Sequence, residues 1–297
     1  MNKITVITPI YNRKELIKQA YESLKNQTNK SFEWLIVDDG STDKVEEEIK
    51  GMQNEGIIKI NYIYKENGGK HTALNVAFKN LSTELAIILD SDDILIPKAI
   101  EEILTYWDKY KSISKIAGMV FLRGYNTEKS MTNKFIKDEY VGNYNKEIIN
   151  AGLVGDKAEV FRTDILQKYN FPEYKAEKFM GEGFLWSKIS RKYDMVFINK
   201  IIYIGNYLED GLTKAGKKLR ISNPLGGMEH SKEYIDKSVY CLRVRIKNII
   251  LYNIYYLFAK DKYSKDYMKE YQLSNNFLNI CLKPISFFIY KYWKRKY

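Results

Sequence analysis

Three carboxylates within four residues close an apolar run, Ile87-Ile88-Leu89-Asp90-Ser91-Asp92-Asp93. Apolar residues from Ala86 to Leu89 read as a buried strand, so Asp90, Asp92 and Asp93 emerge together where that strand leaves the core. Closely spaced aspartates at a strand end suit a hard divalent cation, Mg²⁺ or Mn²⁺, which takes one or two carboxylates and completes its shell with substrate phosphates. A solvated turn accounts for the same residues, because Asp and Ser are turn formers. Upstream, Asn67-Gly68-Gly69-Lys70-His71-Thr72 precedes a helix expected over Ala73 to Asn80. Paired glycines before a helix N-terminus let backbone approach an anion, and Lys70 adds a positive charge. A metal-holding acid cluster and an anion loop together fit a diphosphate better than either does alone. Further on, Glu182 lies within Phe179-Met180-Gly181-Glu182-Gly183-Phe184-Leu185-Trp186. On the residues alone it reads as an acid favoured by a helix N-terminus.

The elements that must position these groups follow from periodicity. Lys3 to Ile10 is β-branched and closes near Pro9, a helix is expected over Lys14 to Asn26, and Phe32 to Val37 is a second strand stopped by Asp38-Asp39-Gly40-Ser41-Thr42-Asp43. Strand, helix, strand implies a parallel, doubly wound start. Ligands of such sheets bind beyond the carboxyl ends of the strands, here Thr8 to Asn12 and Asp38 to Asp43. Neither loop carries G-x-G-x-x-G or a P-loop, which disfavours a simple dehydrogenase or kinase. Further strands are expected at Ile57 to Tyr64, Ala117 to Leu122, Gly155 to Arg162 and Met195 to Ile204. Helices are expected at Lys98 to Tyr110 and Thr163 to Tyr169, and Lys134 to Lys146 reads as irregular.

Of 297 residues, 45% are hydrophobic and 29% charged, the balance of a folded globular chain. Cys241 and Cys281 lack metal-ligand spacing, residues 1–18 lack a signal-peptide core, and no stretch has transmembrane length, which sets the expectation of a reducing, cytoplasmic location. The net charge of +11 is uneven. Residues 1–213 are near neutral, whereas 214–297 hold 18 Lys+Arg against 6 Asp+Glu. That marks a boundary near Thr213 and a basic, Tyr-rich tail. Within it Phe277, Ile280, Cys281, Ile285, Phe288, Ile289 and Tyr292 share one helical face, with Lys283, Lys291, Lys294, Arg295 and Lys296 off it and Pro284 expected to kink the helix. A basic amphipathic helix with interfacial aromatics can lie on an anionic membrane. Packing on the rest of the chain, or on a second copy in a homodimer, is the alternative.

Four motifs in order, Thr8-Pro9-Ile10-Tyr11-Asn12-Arg13, Val37 to Asp43, Asn67-Gly68-Gly69-Lys70 with Ala73 and Asn75, and Leu89-Asp90-Ser91-Asp92-Asp93, resemble the nucleotide-sugar domain of a family 2 glycosyltransferase over about residues 3–213. The resemblance implies a GT-A fold, α/β with a Rossmann-like, mostly parallel central sheet flanked by helices, carrying a helical C-terminal extension over 214–297. It further implies an inverting transfer from a nucleotide sugar, most often a UDP-sugar, with Mn²⁺ or Mg²⁺.

Carried over by position, Pro9, Tyr11 and Arg13 would form the nucleoside pocket and Asp38 would accept from the base. Asn67, Lys70, Ser91 and Asp156 would border the donor, and Asp90 with Asp92 would be the acid-x-acid pair of the DXD motif. Asp92 or Asp93 would ligate the metal, with another of the three acids on the ribose. Glu182 would be the catalytic base; many relatives have Glu-Asp there, whereas this chain has Gly183 in second place. His71 could contact the donor, although a lone histidine at a helix start is more often a capping or packing residue. The loop 206–213 and the basic stretch Lys214 to Asn223, a candidate lid, would lie near the donor. The implied function is transfer of a hexose or N-acetylhexosamine to a saccharide hydroxyl, with a polyprenyl-diphosphate-linked acceptor at the inner face of a bacterial membrane in surface-polysaccharide synthesis, and no nucleic-acid partner. A nucleotidyltransferase of similar fold, or a nucleic-acid-binding module using the tail, are the rival readings.

Overall fold

A computed structural model of the chain describes residues 2–205, 212–274 and 276–297, the side chains of 212–215 aside. The chain forms two compact units, one from residues 1–144, 152–171 and 192–206 and the other from 145–151, 172–191 and 207–297. The helical unit thus takes in two inner segments besides the basic tail.

The first unit is built on one mixed sheet. Strands β1 (Ile4–Ile10), β2 (Phe32–Asp38), β3 (Ile60–Tyr64) and β4 (Leu85–Ile88) are parallel, in the order β3-β2-β1-β4. The sheet continues through β8 (Lys157–Arg162), antiparallel to β4, then β6 (Ile116–Gly124), then β9 (Asp194–Ile204), parallel to β6. Two short strands, β5 (Ile94–Leu95) and β7 (Glu139–Gly142), pair antiparallel with β9. Every residue of β1 and β2 is buried, as expected of central strands covered on both faces. Helix α1 (Ile17–Lys25) buries Ile17, Ala20, Tyr21 and Leu24, the 3-and-4 spacing of an amphipathic helix. Tyr21 stacks on the fully buried Trp34, whose indole N–H donates to Thr8 Oγ1 at 2.8 Å. The remaining helices here are α2 (Val45–Glu55), α3 (Lys70–Lys79), α4 (Ala99–Tyr110) and the short α5 (Thr163–Leu166).

Element boundaries move where local chemistry decides them. Helix α3 starts at Lys70 rather than Ala73, because Gly69 takes φ +95° and turns the chain directly into the helix. Within the stretch expected to be irregular lies β7, whose four residues are too few to show alternation; Tyr140 stacks on Phe197 of β9 at 5.3 Å.

The second unit holds a π-helical turn (Asn145–Asn150) and helices α6 (Gly183–Ser190), α7 (Leu212–Ser222), α8 (Pro224–Glu233), α9 (Leu242–Lys262), α10 (Lys265–Lys269) and α11 (Phe277–Lys296). Leu225, Met228, Tyr252, Tyr255, Ala259 and Met268 form its core. The Glu177 carboxylate accepts from the Leu225 and Gly226 N–H groups, both at 2.8 Å, and from the Tyr263 hydroxyl, so a buried charge satisfies the N-terminus of α8. The basic stretch 214–223 falls mostly in α7. Of the loop expected over 206–213, residues 206–211 lie outside the described residues. Helix α11 runs unbroken through Pro284, which stands on its exposed side, where the carbonyl left unpaired by the missing N–H can meet water.

Gly118 shows how tightly the sheet is fitted. The β6–β9 register slips between Ile116 and Gly118, and a Cβ at Gly118 would strike the Val160 carbonyl of β8. Gly118→Ala is expected to cost about 2–3 kcal/mol and to lower Tm by roughly 5–10 °C, measured by thermal denaturation. An unchanged Tm would contradict this packing.

Candidate active site

The carboxyl ends of the parallel strands build one wall of the site. Register sets Ile10, Asp38 and Tyr64 side by side across β1, β2 and β3. Tyr11, which follows Ile10, and Tyr64 are 49% and 59% exposed, whereas Asp38 is 2% exposed. Asp38 is held from both sides, accepting from the Ser41 N–H at 2.8 Å and the Tyr62 hydroxyl at 2.7 Å. Burial and the Asp38 contact push the Tyr62 phenol well above its ordinary value, keeping it a donor. The first two loops are stapled together: Asn12, at φ +51°, accepts from the Thr42 N–H at 2.7 Å, and its own N–H donates to Ser41 Oγ at 2.9 Å. An anchored acceptor thus lies at the strand ends, in the row that also carries two exposed tyrosines. Pro9 is buried within β1, one residue before the strand ends.

The glycine loop is used differently from the sequence reading. The Gly68 and Gly69 N–H groups donate to the Asp39 carboxylate at 2.9 and 2.7 Å, joined by Asn67 Nδ2 at 3.1 Å and Lys65 Nζ at 2.6 Å. The anion that approaches these glycines is therefore the protein's own, because Asp39, 3% exposed, needs those donors to be buried as a charge. Lys70 does point to the acids, its ammonium 2.6 Å from Asp90 Oδ1. His71 is buried with its ring edge-on to Phe171, a packing residue as expected.

The acid cluster divides in two. Asp90 and Asp92 keep partial solvent access, whereas the side chain of Asp93 is 1% exposed. Asp93 Oδ2 accepts from Arg123 Nη2 and from the Tyr203 hydroxyl at 2.9 Å, and Tyr203 Oη in turn accepts from the Asp90 N–H at 2.9 Å. Arg123 and Tyr203 are cross-strand neighbours on β6 and β9, and the guanidinium lies 4.4 Å from the ring centroid. Pairing of β5 with β9 brings Asp93 to them, and a Cβ at Gly205 would fall on Asp93 Oδ1 and Arg123 Nη2.

Charge reflects this division. Burial works to raise the Asp90 carboxyl, but Lys70 and Arg123 outweigh it and hold Asp90 below its ordinary value. Burial and the Asp90 charge raise Asp92, with Arg13 and Lys70 pulling the other way. Burial pushes Asp93 up to about 7 against the pull of Arg123. Two accessible carboxylates with mutually unfavourable charge are a donor set a divalent cation would relieve. Among the described residues no three acidic, histidine or cysteine side chains are arranged to hold a metal by themselves. Ser91 is buried between the acids, and Asp156 is exposed, its charge acting on Arg123.

Glu182 belongs to the second unit, partly exposed, at the start of α6, its carbonyl accepting from the Leu185 N–H at 2.8 Å. The Tyr234 hydroxyl donates to the Gly183 carbonyl at 2.9 Å, and a Cβ at Gly183 would sit 3.3 Å from that hydroxyl oxygen. A side chain at position 183 would therefore crowd the Tyr234 hydroxyl. A Cβ at Gly181 would meet His230 Nδ1 at 3.4 Å. Burial and the Arg220 charge lower His230 to about 4, with Lys247 adding to the effect and the Gly181 backbone opposing it.

Sequence spacing did not point to Arg123, Tyr203, Tyr62 or Tyr64. The first two come from strands distant in the chain, and the tyrosines of β3 are indistinguishable from core residues until register is known.

A half-parallel sheet with acids at its carboxyl ends is the GT-A fold. The chain belongs to glycosyl transferase family 2, whose model matches residues 5–169. It is 26% identical over 240 residues to the GalNAc(5)-diNAcBac-PP-undecaprenol beta-1,3-glucosyltransferase of Campylobacter jejuni, covering 78% of this chain and 74% of that protein. Among solved structures it is similar to S. aureus TarS 1-349 in complex with UDP-GlcNAc, with TM-score 0.63, 19% identity and coverage of 96% of this chain and 79% of that one. It is also similar to the mannosyltransferase PcManGT of Pyrobaculum calidifontis in complex with GDP-Man and Mn²⁺, with TM-score 0.58, 15% identity and coverage of 98% and 82%. The chain spans less than half the length of four uncharacterized Rickettsia glycosyltransferases that it matches at 32–38% identity.

Two outcomes are expected. Arg123→Met leaves Asp93 buried without its charge partner and is expected to cost about 3 kcal/mol in urea denaturation, while Arg123→Met with Asp93→Leu recovers more than half of it; simple additivity would contradict the coupling. For His230, the folded state binds fewer protons than the unfolded chain between about pH 4 and 6.5, so stability falls on acidification through that window and is flat above it. The loss, discounted for the ring's solvent contact, is about 1–2 kcal/mol, and His230→Gln is expected to flatten the pH profile of Tm.

Proposed function

We propose that the protein is an inverting glycosyltransferase that moves a hexose or N-acetylhexosamine from a UDP-sugar to a hydroxyl of a saccharide acceptor. The observation that carries this reading is the accessible pair Asp90 and Asp92, beside Lys70, at the end of β4, the strand that pairs with β1. Asp38, fixed by Ser41 and Tyr62, accepts from a pyrimidine N3–H between the two tyrosines. Arg13 and Lys70 bring positive charge to the donor diphosphate. Asp92, with Asp90 beside it or on the ribose, would hold Mn²⁺ or Mg²⁺, while Asp93 serves as the buried anchor of the turn. A divalent ion held there would supply charge neutralisation on the departing diphosphate. Glu182 takes the acceptor proton as the new C–O bond forms, and inversion requires no nucleophilic carboxylate.

The UDP-GlcNAc and Mn²⁺ complexes of the similar structures support the donor and metal classes. The undecaprenol-linked substrate of the Campylobacter relative supports a polyprenyl-diphosphate-linked acceptor in surface-polysaccharide assembly, and with it a place at the inner face of the membrane. No helix among the described residues is long and apolar enough to cross a membrane.

UDP with Mn²⁺ is expected to raise Tm, with GDP and CMP doing less. Asp92→Asn abolishes the Mn²⁺-dependent part of that rise, whereas Glu182→Gln keeps it and loses turnover by about 10²–10⁴-fold, measured as UDP release. A UDP response independent of both Mn²⁺ and Asp92, or full activity in Glu182→Gln, would overturn the assignment.

A further inference from the structure

Helix α11 packs by its polar side. Its buried residues are Asn279, Leu282, Ser286 and Tyr290, with Asn279 accepting from Asn253 Nδ2 of α9 at 2.9 Å and Tyr290 donating to Asp261 at 2.7 Å. The opposite side faces outward. Phe277 is 83% exposed, Phe288 74%, Tyr292 60%, and Ile280, Ile285 and Phe287 about half. Seven of the seventeen exposed large hydrophobic side chains among the described residues fall in the last 21 positions, so the patch is not the ordinary scatter of surface apolar groups. At 1.5 Å per residue, Phe277 to Tyr292 makes a strip roughly 22 Å long.

Charge selects what covers it. Residues 271–297 contain no Asp or Glu and five Lys or Arg, with Lys291 flanking the strip and Arg295 at its end. A second copy docking on the same face would bring like charges together, and with α11 lacking acids it would gain no compensating ion pairs within the strip. A surface of anionic lipid offers the apolar strip an acyl boundary and the cations their counter-charges. We infer that the outer face of α11 is a docking surface for an anionic phospholipid membrane, with the helix lying in the interface plane rather than spanning it.

The test is flotation of the full chain with phosphatidylcholine vesicles and with vesicles in which a quarter of the lipid is phosphatidylglycerol. Preferential binding to the anionic vesicles is expected, weakened about tenfold or more by 0.5 M salt, by Ile285→Ser with Phe288→Ser, and by Lys291→Glu with Arg295→Glu. These positions are exposed, so Tm should be unchanged, and vesicle binding needs no donor, so the UDP-dependent rise in Tm reports separately on the proposed reaction. Binding unaffected by either pair of substitutions, equal binding to neutral vesicles, or no vesicle binding together with a dimer in sedimentation that Phe288→Ser dissociates, would each overturn the inference.

Discussion

The buried pairing of Asp93 with Arg123, closed by the Tyr203 hydroxyl, is the contact on which the site depends. A carboxylate removed from water is tolerable only with charged and hydrogen-bonding partners in place, and here they come from two neighbouring strands, β6 and β9. The same tyrosine accepts the Asp90 N–H, so the turn from Asp90 to Asp93 is tied at both ends to the sheet. Ser91 is buried within it, and Asp90 and Asp92 are left facing outward as its two accessible acids. One sealed acid therefore holds the turn that carries two accessible ones.

Much of this was legible in the residues. The apolar run into Asp90, the parallel start and the loops at the strand ends depend on local periodicity and turn chemistry, which act over a few residues. The division of labour among the three aspartates was not legible, because it is decided by Arg123 and Tyr203, which reach Asp93 only through pairing of β5, β6 and β9. The glycine loop misled for a related reason: donors suited to a phosphate are equally suited to Asp39, and only the register of β2 and β3 brings that carboxylate beneath them. Local sequence states what a loop can bind, and long-range packing decides what it does bind.

The helical unit shows the same split between pattern and partner. Amphipathic spacing in α11 correctly grouped Phe277, Ile280, Ile285, Phe288 and Tyr292, yet an apolar face ordinarily turns inward. Here it turns outward, and on the opposite side Asn279 and Tyr290 bond to Asn253 and Asp261 of α9. The proline expected to bend the helix lies on the exposed side and leaves it continuous.

Anomalous diffraction from crystals soaked with UDP and MnCl₂ tests the division of the aspartates most directly. The account predicts a single manganese peak about 2.1 Å from an Asp92 oxygen, with donor phosphate oxygens completing its shell and Asp93 still paired with Arg123. A manganese ion bound by Asp93, with Arg123 displaced, would contradict it.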